Sequence, residues 1–149
     1  MLDIDEMSKR EMHNLLQEVG HGHLGCALEG HPYVLPMHYY FDEPDIYIFT
    51  TVGMKTKYMD VNPEVCLQVE EVRDLKHWRS VTVMGQAEHI TEQQDIDRVM
   101  QVVKTRNPPL SPAINRTWID AWGRAEVMAL YRIHPSEMTG RTTDGVSSQ

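Results

Sequence analysis

Residues 21–51, HGHLGCALEGHPYVLPMHYYFDEPDIYIFTT, decide the fold. Three runs rich in β-branched and aromatic residues follow one another here, at 23–30 (HLGCALEG), 31–41 (HPYVLPMHYYF) and 45–51 (DIYIFTT). Only turn chemistry separates them: Glu29-Gly30-His31 at the first break and Asp42-Glu43-Pro44-Asp45 at the second. Connections this short join antiparallel neighbours, so the stretch predicts consecutive hairpins, a meander.

Further along, 65–72 (VCLQVEEV) and 78–90 (WRSVTVMGQAEHI) read as two more strands, and 126–134 (EVMALYRIH) as a sixth. Helices are predicted around them. Over 4–19, Ile4, Met7, Met12, Leu15, Leu16 and Val19 fall at helical spacing, with Ser8 and Glu11 as a capping box that starts the helix near Ser8 and Gly20 as its stop. Residues 54–61 (MKTKYMDV) offer one or two helical turns before Asn62-Pro63. The stretch 91–104 (TEQQDIDRVMQVVK) has Thr91 as cap and Ile96, Val99, Met100 and Val103 on one face. A Pro-rich joint (Asn107, Pro108, Pro109, Pro112), a short helix through Trp118 and Trp122, and a loose tail over 142–149 complete the reading. The expectation is one domain over 1–149, mainly β (α+β): a six-stranded antiparallel barrel about 21–90 and 126–134 with flanking helices. A doubly wound sheet is not supported, because there is no βαβ alternation and no GxGxxG.

The bulk numbers narrow the function classes. With 41% hydrophobic and 24% charged residues and a mean hydropathy of -0.45, the chain has the composition of a soluble globular protein. A net charge of -8 argues against duplex nucleic acid as a partner, since that binding rests on Lys and Arg neutralising phosphates. No apolar run approaches the roughly 20 residues that span a bilayer, and the charged start MLDIDEMSKREMH is unlike a signal peptide, so a cytoplasmic protein is expected. Cys26 and Cys66 lie far apart in apolar stretches and read as buried thiols. His21 and His23, two apart in a strand, share a face, but no third and fourth metal ligands are evident and no metal is expected.

One segment carries phosphate chemistry. Residues 50–57, TTVGMKTK, combine hydroxyls (Thr50, Thr51, Thr56), a glycine that permits close backbone approach (Gly53), a helix N-terminus, and two cations (Lys55, Lys57). Taken alone, the segment reads more readily as an exposed turn with two solvated lysines. Trp78, just before Arg79-Ser80-Val81, reads either as a strand-entry aromatic or as a residue packed at a cofactor or subunit seam.

In order, the pieces GHLGCALEGHPYVLPMHYYF (22–41), IYIFTTVGMKTKYM (46–59), NPEVCLQV (62–69) and WRSVTVMGQA (78–87) resemble the FMN-binding split barrels of the pyridoxamine 5'-phosphate oxidase-like superfamily, in particular the short nitroimidazole-reductase-like branch. The N-terminal helix, the helix after the barrel and the closing strand ending in MTGR also resemble that family. The resemblance implies a homodimer with FMN at the interface, each site lined by both chains. Leu35, Pro36, Met37 and His38 would run along the isoalloxazine and ribityl chain, largely through backbone groups. Phe49, Thr50 and Thr51 would approach the ribityl and phosphate; Met54 and Lys55 stand where larger members carry Arg-Lys; Ser80 stands at a phosphate-binding polar position. With Met54 in place of a cation, phosphate charge falls on Lys55, with Lys57 as a second donor.

What the resemblance implies for activity is an FMN-dependent oxidoreductase that reduces a small organic or nitro-type acceptor with NAD(P)H; His38 is the candidate proton donor near neutral pH, though it reads more readily as a partly buried histidine with one hydrogen bond. Two alternatives stay open: a haem-binding or haem-degrading barrel, and a flavin sensor or electron carrier without turnover. Pyridoxamine phosphate itself is a poor substrate candidate, because the chain lacks the basic substrate-phosphate positions and C-terminal extension of the true oxidases.

Overall fold

The computed structural model describes residues 3–106 and 128–143. The elements run in the order β1 (Asp5–Glu6), α1 (Lys9–Val19), β2 (His21–Leu28), β3 (His31–Asp42), β4 (Asp45–Thr51), α2 (Met54–Val61), β5 (Glu64–Asp74), β6 (His77–Ile90), α3 (Gln93–Arg106) and β7 (Met128–Thr142). All pairings are antiparallel. The sheet order is β1-β7-β4-β3-β2-β5-β6, and β6 pairs again with β7. Six strands therefore close on themselves, and β1 is a two-residue addition to β7. This is the six-stranded split β-barrel that the hairpins predict.

The meander forms because its turns leave no slack. Leu28 pairs with His31, so Glu29 and Gly30 alone make the first turn, both with positive φ (50° and 80°), the pair of angles a tight twisted hairpin requires. Asp42 pairs with Asp45 across Glu43-Pro44 in the second. Closure depends on a different glycine. The β6–β7 register shifts between Met84 and Gly85, and a Cβ on Gly85 would stand 2.3 Å from the His134 carbonyl oxygen.

Alternation then sorts the side chains. Leu24, Ile46, Ile48, Leu67, Val69, Val81, Val83, Tyr131 and Ile133 are fully buried in the barrel interior, where each aliphatic side chain contributes roughly 1.5–3 kcal/mol relative to exposure. α1 adds Met12, Leu15 and Leu16 to that interior. Its start is the expected capping box: Glu11 N donates to Ser8 Oγ at 3.1 Å and Ser8 N donates to Glu11 Oε1 at 2.8 Å, while Gly20 closes it at φ 81°. α3 lays Val99, Met100 and Val103 on Tyr47, Phe49 and Leu130 of the outer wall, a second cluster.

Tyr39 ties α1 to the barrel. Its hydroxyl donates to Leu16 O at 2.7 Å and accepts from Gly20 N at 3.2 Å, and burial pushes its pKa up despite the Gly20 amide, which lowers it. Tyr39→Phe removes both bonds and leaves a helix-end carbonyl and an amide without that partner. The expected cost is about 1–2 kcal/mol, read as a lower urea midpoint with an unchanged slope.

Several boundaries differ from the sequence reading. Asp5 and Glu6 are not helical; they pair with Thr142 and Arg141 as β1. α3 closes on Glu92 rather than Thr91, since Ile96 N donates to Glu92 O at 3.0 Å. β7 runs past His134 to Thr142, which is buried between β1 and β6, so 142 does not begin a loose tail. The long β6 supplies pairing partners that HPSEMTGRT does not advertise by its own composition. The Pro-rich joint, the helix through Trp118 and Trp122, and 144–149 lie outside the described residues. No helix among the described residues is long and apolar enough to cross a membrane.

Candidate functional site

The phosphate-type segment lies where β4 hands over to α2. Thr51 is the last residue of β4, exposed, and Val52 and Gly53 turn the chain outward. Thr56, buried, caps the helix: its Oγ1 accepts from Gly53 N and donates to Gly53 O, both at 2.9 Å. That hydroxyl is thus committed, and so is Thr50, buried with its Oγ1 donating to Thr51 O at 3.3 Å. Thr51 is the hydroxyl of the three that stays exposed.

The first-turn amides of α2 have no carbonyl partners inside the helix, as at any helix start. Neither Lys55 nor Lys57 has an acidic partner among the described residues. Burial and then Cys66 push the Cys26 thiol pKa up, and the Lys55 ammonium draws it down. Two unpaired cations and open amides at one helix start fit a phosphate group. Met54 is exposed and contributes neither charge nor hydrogen bond there.

The far end of α2 is anchored by residues the sequence reading did not single out. Asp60 Oδ1 accepts from Tyr131 OH at 2.7 Å and lies 3.4 Å from His89 Nδ1, while the His89 ring stacks on Tyr131 with centroids 4.4 Å apart. Asn62 Nδ2 donates to Ala27 O at 2.9 Å. Only Asn62 carried a sequence signal, as the residue before Pro63; nothing in the spacing pairs Asp60 with β6 and β7.

The remaining predicted residues divide by strand parity. Leu35 and Met37 turn inward and pack in the barrel interior, whereas Pro36 and His38 face outward. Phe49 belongs to the cluster under α3, so it reaches toward that helix and not toward α2. His38 pairs across the strands with His21, their rings 6.3 Å apart, and burial followed by His21 lowers its pKa, opposed by a backbone hydrogen bond at Gly20. On the same outer face Ser80 Oγ accepts from Gln68 Nε2 at 3.0 Å. The Trp78 backbone is held by Thr143: Trp78 N donates to Thr143 Oγ1 at 3.0 Å and Trp78 O accepts from Thr143 N at 3.1 Å.

Within one chain these groups fall into two separate sets. Cys26 pairs with Val65, whereas Ser80 pairs with Glu70 five residues further along β5. That separation is about 17 Å of strand. Between and around them the outer face of β2, β3, β5 and β6 exposes Val34, Val72 and Met84. His21 and His23 sit on this face, and among the described residues no group of three or more His, Cys, Asp or Glu is arranged to hold a metal ion.

A closed six-stranded antiparallel ring with α1 packed against its interior defines a split-barrel protein. Residues 8–142 match the pyridoxamine 5'-phosphate oxidase family, and the chain belongs to that family. An uncharacterised protein of Rhizobium meliloti is 30% identical over 88 residues, a match covering 59% of this chain and 58% of that one. The crystal structure of a FAD-binding protein from Mesorhizobium loti superposes with a TM-score of 0.74 at 26% identity, over 95% of this chain and 98% of that one. The flavocytochrome Anf3 of Azotobacter vinelandii shares the fold with a TM-score of 0.67 at 18% identity, over 93% of this chain and 68% of its own.

Proposed function

We propose that the chain binds a flavin, with FMN as the form held, in sites shared by two copies, and acts as an oxidoreductase that passes electrons from NAD(P)H to a small organic acceptor. The observation that carries the reading is the pair of lysines at the open first turn of α2, which have no acidic partner among the described residues, a match to a flavin's terminal phosphate. The family and the Mesorhizobium loti protein, described as FAD-binding, support a flavin. Bound there, a flavin supplies the hydride and electron chemistry, and the protein supplies position and charge.

The separation of the two sets of residues supports a site completed by a second copy. In one chain Ser80 pairs with Glu70 and Trp78 with Val72, five and seven residues along β5 from Val65, the partner of Cys26. A second copy seated on the outer face of β2, β3, β5 and β6 covers Val34, Val72 and Met84 and brings its own Ser80 and Trp78 toward the first copy's α2. In that arrangement Lys55 and Lys57 hold the phosphate, Thr51 contributes a hydroxyl, and Pro36 and His38 border the ring. The interface expected of a stable pair is above roughly 1,000 Å².

Light scattering on the FMN-loaded protein at micromolar concentration tests the arrangement. Two chains with two flavins are expected. A monomer that retains one flavin per chain would refute the shared site.

A further inference from the structure

We propose that the split in the barrel holds a second ligand site, remote from α2, that takes a small zwitterion with an ammonium, a carboxylate and an apolar body, the chemistry of an apolar α-amino acid. The split follows from the pairing. β4 covers β7 only from Met128 to Ile133, and β1 covers only Arg141 and Thr142, so residues 134–139 of β7 have no strand on that edge among the described residues. Their backbone groups on that side face a gap instead of a ladder.

Among the described residues, no side chain fills the gap. A cavity of about 450 Å³ lies there, between β7, the first turns of α1 and the tip of the β3–β4 hairpin, a volume within the range of small-molecule sites. Its apolar lining comes from Met12 and Met138, whose thioethers adapt to a guest's shape, and from the rings of Pro44 and Pro135.

Its charges are of both signs. Lys9 and Glu137 line the same cavity, and neither has an ion-pair partner among the described residues. Glu43, at the hairpin tip, lies 3.3 Å from His13 Nδ1, and His13 sets its ring edgewise on Phe41 at 5.3 Å. A simple anion would meet two carboxylates, and a simple cation would leave Lys9 without a partner. A zwitterion answers both, its ammonium on Glu137 and Glu43 and its carboxylate on Lys9.

Calorimetry on the purified full chain tests the site, with L-phenylalanine as probe and its two halves, phenethylamine and 3-phenylpropionate, as comparisons. Saturable binding of L-phenylalanine is expected, with each half at least about tenfold weaker, because each lacks one charge-assisted contact. Lys9→Gln and Glu137→Gln should each weaken L-phenylalanine by about tenfold while leaving the melting temperature and FMN retention unchanged. The comparison among the three ligands uses wild-type protein and does not depend on the variants folding. The proposal is overturned if L-phenylalanine gives no saturable heat, if the three ligands bind alike, or if both folded variants bind as wild type does. None of these outcomes depends on whether α2 holds a flavin.

Discussion

Lys55→Ala is expected to weaken FMN binding by about 10- to 150-fold while weakening riboflavin binding little. The two flavins differ only at the phosphate, so the comparison isolates the charge-assisted contact, and the loss of one such contact costs on the order of 1.5–3 kcal/mol. Lys55 is free to make it, since no acid among the described residues pairs with it and Met54 brings no second charge. Lys57→Ala should show a smaller preference in the same direction. Fluorescence titration of both flavins checks this. Equal losses for FMN and riboflavin would remove Lys55 from the phosphate.

His38→Ala is expected to lower turnover with an external acceptor by roughly 10²-fold, the range of a lost general acid, with flavin occupancy nearly intact. The environment of His38 gives this a pH signature. Burial and the neighbouring His21 lower its pKa, so the imidazole is neutral over more of the pH range than an ordinary histidine. The proton-dependent rate should therefore rise on acidification, with its midpoint below the usual histidine value near 6.5, and the variant should lose that limb. Stability moves the other way: the unfolded chain binds the proton more readily, so this contribution is complete above about pH 6.5 and is lost as pH falls through the folded value. Stopped-flow kinetics separates flavin reduction by NADH or NADPH from reoxidation. Wild-type rates in both half-reactions would exclude His38 from the chemistry.

The meander was legible because its information is local. Glu29-Gly30 and Glu43-Pro44 are short turns between runs of strand formers, and each fixes a register without help from distant residues. The capping box of α1 was legible for the same reason. What escaped was set by partners far away in the chain. β7 extends through Pro135 and Ser136 because a bulge opposite Gly85 accommodates them, and a proline at a bulge need not donate to the ladder. The two-residue β1 exists only because that extension offers it an edge.

The candidate site was legible as residue types and less so as geometry. TTVGMKTK correctly placed two lysines at a helix start, but two of its three threonines are committed to bonds with backbone groups. The run Leu35–His38 splits by parity into two inward and two outward side chains, and a linear reading does not assign the faces. Asp60, His89 and Tyr131, which fasten α2 to the barrel, come from three elements and have no shared motif.

The central claim is that this barrel holds FMN, and the absorbance spectrum of the freshly purified chain, followed by chromatography of the cofactor released on denaturation, tests it most directly. The account predicts the two-band visible spectrum of a bound flavin and FMN as the released compound, with added FMN restoring the spectrum to stripped protein. An intense Soret band, or a colourless protein that takes up no added FMN, would contradict it.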